Sequence, residues 1–225
     1  MSEIIVDLLP FIIGSAIAPG QIIIILLLLK TQQGGLIKGS LFYLGVTSIR
    51  LLQGIVFGLI MNPGGSPSSS EGKGPAISML LLVLGILLLV TAYKKITKVP
   101  DPEDSPPKIF SSIDAASNRK AYFLGLQLPL ISPKMWVFIL SAIATISYAQ
   151  PEQSVGISTF LLFIILAQLL LLLPIIIRIL IPKRSITIFQ SVSIWLNKNI
   201  NTILIVVSLI FGSYFFYQGF SGLFG

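Results

Sequence analysis

Of 225 residues, 54% are hydrophobic and only 10% charged, against about 25% charged in an ordinary soluble domain, so a water-soluble globular protein is excluded. Roughly 120 apolar residues would fill about six membrane-spanning helices at ~20 residues each, with chain left for loops and none for a second domain. Cys and His are both absent, which removes disulfides, thiolate or imidazole metal sites and the usual nucleophile–base pairs, so neither an enzyme nor a metal or other cofactor is expected. The net charge of +7 is explained by Lys and Arg beside apolar spans, the ordinary mark of cytoplasmic membrane loops, and calls for no nucleic acid.

The first apolar segment, near Ile4 to Leu29, follows Glu3 and Asp7 with no preceding Lys or Arg. A cleaved signal peptide wants the opposite flank, so this segment reads as a retained span. After TQQGG at Thr31 to Gly35, a second span runs near Leu36 to Met61, and PGGSPSSSEGKGP at Pro63 to Pro75 separates it from a third near Ala76 to Tyr93. A polar linker containing PDPEDSPPK at Pro100 to Lys108 precedes a fourth span near Ala121 to Ala149; a fifth runs near Val155 to Ile181 and a sixth near Ile203 to Gly219. Between the last two, Ile186, Phe189, Val192 and Trp195 recur at helical intervals, which predicts a short helix on the cytoplasmic interface, a plain loop with an aromatic anchor being the alternative.

Twelve of the fifteen basic residues fall in or beside the first, third and fifth connections: Lys30, Lys38, Lys94, Lys95, Lys98, Lys108, Arg119, Lys120, Arg178, Lys183, Arg184 and Lys198. The second connection holds only Lys73. The positive-inside rule then puts both termini outside a plasma (inner) membrane, which requires an even number of spans.

Spans one and four are unusually long, and each is interrupted near its middle, by Ala18-Pro19-Gly20-Gln21 and by Ser132-Pro133-Lys134-Met135. Three spans separate the two breaks, and an odd number of crossings makes the second half run opposite to the first. The expected architecture is an all-α integral membrane protein of six transmembrane helices, arranged as two inverted-topology three-helix repeats with helices 1 and 4 interrupted. The chain reads as a single membrane domain over 1–225, with one repeat at about 1–97, a cytoplasmic linker at about 98–120 and the second repeat at about 121–225. Proline lacks an N–H and clashes with the preceding turn, so carbonyls lose their partners where lipid cannot replace them. Matched breaks of this kind mark a midplane binding site; a packing kink is the plainer reading of any one proline.

Arg50 lies about a dozen residues, ~18 Å of helix, from both ends of span two, and Lys134 is similarly deep in span four. A charge at bilayer centre costs at least ~2.5 kcal/mol and normally faces the bundle interior or a wet cavity. No Asp or Glu lies as deep, so the candidate site is cationic and suited to an anionic or zwitterionic ligand. Its expected members are Pro19, Gly20, Gln21, Arg50, Gln53, Ser132, Pro133 and Lys134, with Gln127 and Gln168 as further buried polar groups. The alternative is that Arg50 and Lys134 donate to the carbonyls freed at the two prolines and hold the halves together.

Ser132-Pro133-Lys134 resembles the Asn-Pro-Lys motif of the lysine exporter (LysE) superfamily, and Pro19-Gly20 its first-repeat Pro-Gly. More fully, the chain resembles the GAP/Sap branch, the glycopeptidolipid- and sulfolipid-addressing proteins. The residues carrying this are Ala92-Tyr93-Lys94-Lys95, Ile113-Asp114, Trp195-Leu196-Asn197-Lys198 and Gly212. The resemblance covers nearly the whole chain. It implies a six-span exporter of inverted repeats, whose relatives export amino acids or metal ions or support movement of envelope lipids. Ser132 departs from the family's Asn. The acidic motifs of cation-moving relatives and the Cys pair of thiol-relay relatives are missing. The expected function is alternating-access export of a small anionic or zwitterionic solute or an amphiphile, in contact with the lipid bilayer; the alternative is a non-transporting accessory protein for envelope-lipid delivery. A homodimer is compatible with the sequence.

Overall fold

The computed structural model describes residues 2–31, 33–61, 75–97, 116–149 and 151–224. Most of the second connection, most of the linker before span four, and Ile113-Asp114 lie outside the described residues. Everything regular among the described residues is helical: α1 (Ser2–Ala16), α2 (Pro19–Lys30), α3 (Gly35–Met61), α4 (Pro75–Thr97), α5 (Asn118–Ile131), α6 (Pro133–Tyr148), α7 (Gln153–Ala167), α8 (Leu169–Leu180) and α9 (Pro182–Phe224).

Helices α3, α4 and α9 are each long and apolar enough to cross a membrane, and the remaining six form three bent pairs, so the chain has three spans, or six if each pair is one span. The chain is a multi-pass membrane protein. The bends are 58° between α1 and α2, 74° between α5 and α6, and 63° between α7 and α8. Two of these breaks coincide with the sequence expectation, and both put proline at the start of the second half-helix. There its missing N–H costs nothing, because the first amides of a helix have no internal partner.

The third break was not expected, and it has neither Pro nor Gly. At Gln168 the ladder is interrupted locally: the Gln168 amide donates to the Ile165 carbonyl, and the amides of Leu171 and Leu172 both donate to the Gln168 carbonyl. The end of the chain also departs from expectation. Residues 182–224 form one continuous helix of 43 residues, ~64 Å long at 1.5 Å per residue, so the amphipathic stretch around Trp195 is the lower part of the last helix and no separate interfacial helix. The reason is local. No Pro or Gly follows Pro182 until Gly212, and the side chain of Asn199 donates to the Trp195 carbonyl at 2.8 Å within the helix.

Glycines set the closest helix crossings. A side chain at Gly45 of α3 would run into the Tyr122 carbonyl of α5, and one at Gly125 into the Phe42 carbonyl. In α4 and α9, Gly85 faces the Phe216 backbone and Gly219 faces the Leu82 amide. Among the described residues only Gly34, in the turn between α2 and α3, needs left-handed backbone, with φ of 69°.

Two apolar clusters result. One joins α1, α4, α6, α7 and the end of α9 through Leu8, Phe11, Leu84, Phe138, Phe163 and Phe215. The other gathers around α2, with Ile23, Leu28, Phe42, Leu124, Ile175 and Phe189. Helix α2 is apolar around its whole circumference from Ile22 to Leu29, and eight of its twelve residues are buried, as expected for a central element. The breaks near Ala18, Ser132 and Gln168 fall between the two clusters.

Candidate functional site: a polar layer at the helix breaks

Helix α3 runs unbroken past two of the breaks, and Thr47, Arg50 and Gln53 follow each other at three-residue spacing along it. Thr47 Oγ1 lies 2.9 Å from the Tyr43 carbonyl and 3.1 Å from Gln168 Oε1, so it touches the third break. One turn on, Arg50 Nη2 donates to Met135 Sδ at 3.7 Å, which places the guanidinium against the first turn of α6, just past the second break. Lys134, beside Met135, donates from Nζ to the Ile17 carbonyl at 3.2 Å. That oxygen belongs to the first break, where α1 has ended and α2 has not begun. The Lys134 ammonium also sits 5.4 Å from the centroid of the Phe138 ring, within cation–π range. Two cations and all three breaks are thereby joined in one layer.

The two cations are used differently. Lys134 satisfies a carbonyl freed by the break in α1/α2, which is the backbone-holding role. Arg50 is only 3% exposed; its Nη2 meets a thioether, and its Nη1 has no hydrogen-bond partner among the described residues. Sulfur is a weak acceptor and a guanidinium carries five donors, so Arg50 is held in the interior far short of its hydrogen-bonding capacity, a costly state for a charged group.

The other expected residues sort as follows. Pro19 is buried at the start of α2. Gly20 is half-buried, and a Cβ there would meet nothing within 4 Å. Gln21 and Gln53 are buried, with Gln21 Oε1 and Gln53 Nε2 unpartnered among the described residues. Ser132 takes an extended conformation between α5 and α6, its side chain caps neither, and its carbonyl accepts from the amides of Met135 and Trp136. Pro133 opens α6. Gln168 is fully buried, but Gln127 is exposed and lines nothing here. Sequence reasoning missed Thr47, Met135 and Trp136; the one signal for the third break was Gln168 itself, the only polar residue from Phe160 to Ile177.

Gln21, Arg50 and Gln53 are all buried, while Gly20, Ser132 and Lys134 are half-buried. At the far end, a cavity of about 510 Å³ opens where the first turns of α1 meet the end of α6 and the start of α7, and one of about 250 Å³ opens between α1, α4, the end of α6 and α9. Their walls include Glu3, Asp7, Tyr148 and Glu152. Among the described residues, no group of three or more acidic side chains is arranged to hold a metal ion.

A family model described as Sap, sulfolipid-1-addressing protein, matches residues 8–221 of this chain. No curated protein and no solved structure matches it.

Proposed function

The chain belongs to the Sap, sulfolipid-1-addressing protein, family, and from that premise we propose that it is a membrane carrier, not an enzyme, that moves an anionic or zwitterionic solute or amphiphile through the layer of helix breaks. The observation that carries this reading is Arg50. It is a buried guanidinium beside the start of α6, with a thioether on Nη2 and no partner for Nη1 among the described residues. An oxyanion is the ligand such a fork recognises best, because two parallel charge-assisted hydrogen bonds form at once. The start of α6, within contact of Arg50, adds the positive end of a half-helix.

In this reading each bent pair is one span, giving six, and the halves 1–97 and 121–225 are inverted repeats of the lysine-exporter type. Alternating access rocks one repeat against the other, with Lys134–Ile17, Arg50–Met135 and Thr47–Gln168 as contacts between them at the layer. The orientation follows from charge. The ends of α2, α4 and α8 and the starts of α5 and α9 carry Lys30, Lys94, Lys95, Arg178, Arg119, Lys120, Lys183 and Arg184, which supports a cytoplasmic face of the plasma membrane there, while Glu3, Asp7 and Glu152 gather at the opposite, outer end.

The family's description as sulfolipid-1-addressing is equally compatible with a second reading, an accessory role in delivering an envelope lipid without transport. Purified protein in liposomes separates the two: a carrier yields protein-dependent flux of an amino acid or an anionic lipid, and Arg50→Ala with Lys134→Ala together removes it. Flux undiminished by the double substitution would overturn the proposed site, and no flux of either probe would favour the accessory role.

A further inference from the structure

We infer that the ligand reaches Arg50 sideways from the hydrocarbon, through a window between α3 and the second break that Trp136 closes, so that the ligand is an amphiphile whose anionic head enters while its chains stay in the bilayer. This rests on the carrier reading of Arg50 and adds to it the route of entry; that the ligand is a lipid is already suggested by the family's description.

Backbone accounting at the second break leads to it. In an unbroken helix the Leu130 carbonyl would accept from the amide of residue 134; here α5 stops at Ile131 and α6 starts anew at Pro133. The oxygen is taken instead by the indole Nε1–H of Trp136, at 2.7 Å. The Trp136 ring also meets Phe57 of α3 edge-on, with centroids 5.7 Å apart. One side chain thus caps the freed carbonyl and bridges the gap between α3 and α6.

This happens at the outer surface of the bundle. Ile131 is 75% exposed and Leu130 42%, and Leu52, Ile55 and Val56 of α3 are exposed apolar residues as well. A surface of that composition in a membrane protein is covered by lipid, and a carbonyl facing lipid must be capped from within the protein. The first break differs, since its Ile17 carbonyl is met by the largely withdrawn Lys134.

Behind Trp136 in the chain stands Met135, buried, with its sulfur on the Arg50 guanidinium. Phe57 lies seven residues, two helical turns, from Arg50 and so on the same face of α3; an entry route along that face passes the Trp136 indole and reaches the Met135 thioether, whose unbranched side chain can turn. Along the molecule's axis, by contrast, both exits are filled: Leu8, Phe11, Phe138 and Phe163 on one side, Ile23, Leu28 and Phe42 on the other. A chain left in the bilayer never has to cross either cluster, whereas a water-soluble anion would have to open one of them.

The chain has no native Cys and only two Trp, which makes the test clean. Full-length protein with Phe57→Cys and Trp136→Cys, oxidised to close the window, is reconstituted in liposomes and assayed with fluorescently tailed phosphatidylglycerol and with radiolabelled glutamate. Expected are movement of the lipid probe by wild type, a drop of about tenfold or more on cross-linking, recovery on reduction, and loss in Arg50→Gln, a tenfold change being what one lost charge-assisted contact gives. Lipid movement that needs Arg50 yet ignores the cross-link overturns the window while sparing the carrier. Glutamate movement that ignores the cross-link, without lipid movement, overturns the substrate class. No movement of either probe by wild type removes the carrier reading and this inference with it. A second measurement does not depend on transport: in Trp195→Phe protein, emission from Trp136 is quenched by phospholipid brominated on its acyl chains, and emission indifferent to that lipid would refute the lipid-facing position.

Discussion

The layer of helix breaks and the α4–α9 pair solve opposite problems. Where α4 and α9 meet, both helices run unbroken, and glycines let backbone approach backbone at Gly85 and Gly219. Where α1/α2, α5/α6 and α7/α8 bend, helical hydrogen bonds are given up, and a guanidinium is left against a thioether. The contrast separates a region of close backbone packing from a region that leaves buried polar atoms unpartnered among the described residues. Packing between apolar helices in lipid gains from close contact of small residues, while buried polar groups with unmet partners are costly until water, a neighbouring group or a ligand supplies them.

Substitutions on the two sides should therefore diverge. The largest effect is expected at the pair: Gly219→Leu forces a side chain into the Leu82 backbone and should lower stability by about 3 kcal/mol or more, read as loss of folded protein in size-exclusion and thermal-shift measurements. A Gly219→Leu protein that melts like wild type would break the comparison. Next, Arg50→Met should abolish flux yet leave the melting temperature unchanged or raised, since an apolar side chain of similar volume replaces an incompletely satisfied charge, a change worth about 1 kcal/mol or more in stability. A clear fall in melting temperature would mean that Arg50 is structural. Third, Lys134→Met strips the Ile17 carbonyl of its donor and should cost about 1–3 kcal/mol, so thermal shift distinguishes the two cations that sequence position treats alike. Smallest, Lys95→Ala removes an exposed 2.8 Å bond to Asn201 between α4 and α9 and should change stability by no more than about 0.5 kcal/mol, which would assign the strength of this pair to its glycines.

Much of this was legible in the sequence, for reasons that can be stated. Pro19 and Pro133 marked two breaks because a residue without an amide proton cannot continue a helical ladder. The depth of Arg50 and Lys134 was readable as a count of apolar residues on either side. The break at Gln168 was not, because nothing in its backbone chemistry forbids a helix; it coincides with a contact to Thr47, 121 residues earlier in the chain. The continuous α9 escaped notice because amphipathic periodicity around Trp195 is the same whether that stretch lies on a membrane or stacks on α2 and α8. Gln127 was expected inside and faces out, since hydropathy alone does not say which side of a helix meets its neighbours.

By itself, then, the sequence determined the solvent of this protein, the positions of two interruptions and the sign of the charge placed between them, all of which follow from local composition and from what proline cannot do. Tertiary structure alone decided which cation is consumed by the backbone and which remains underused. Lys134 finds the Ile17 carbonyl 117 residues away, Arg50 finds Met135 sulfur as its one hydrogen-bond partner among the described residues, and no local propensity distinguishes two deep cations until distant segments have been folded against them.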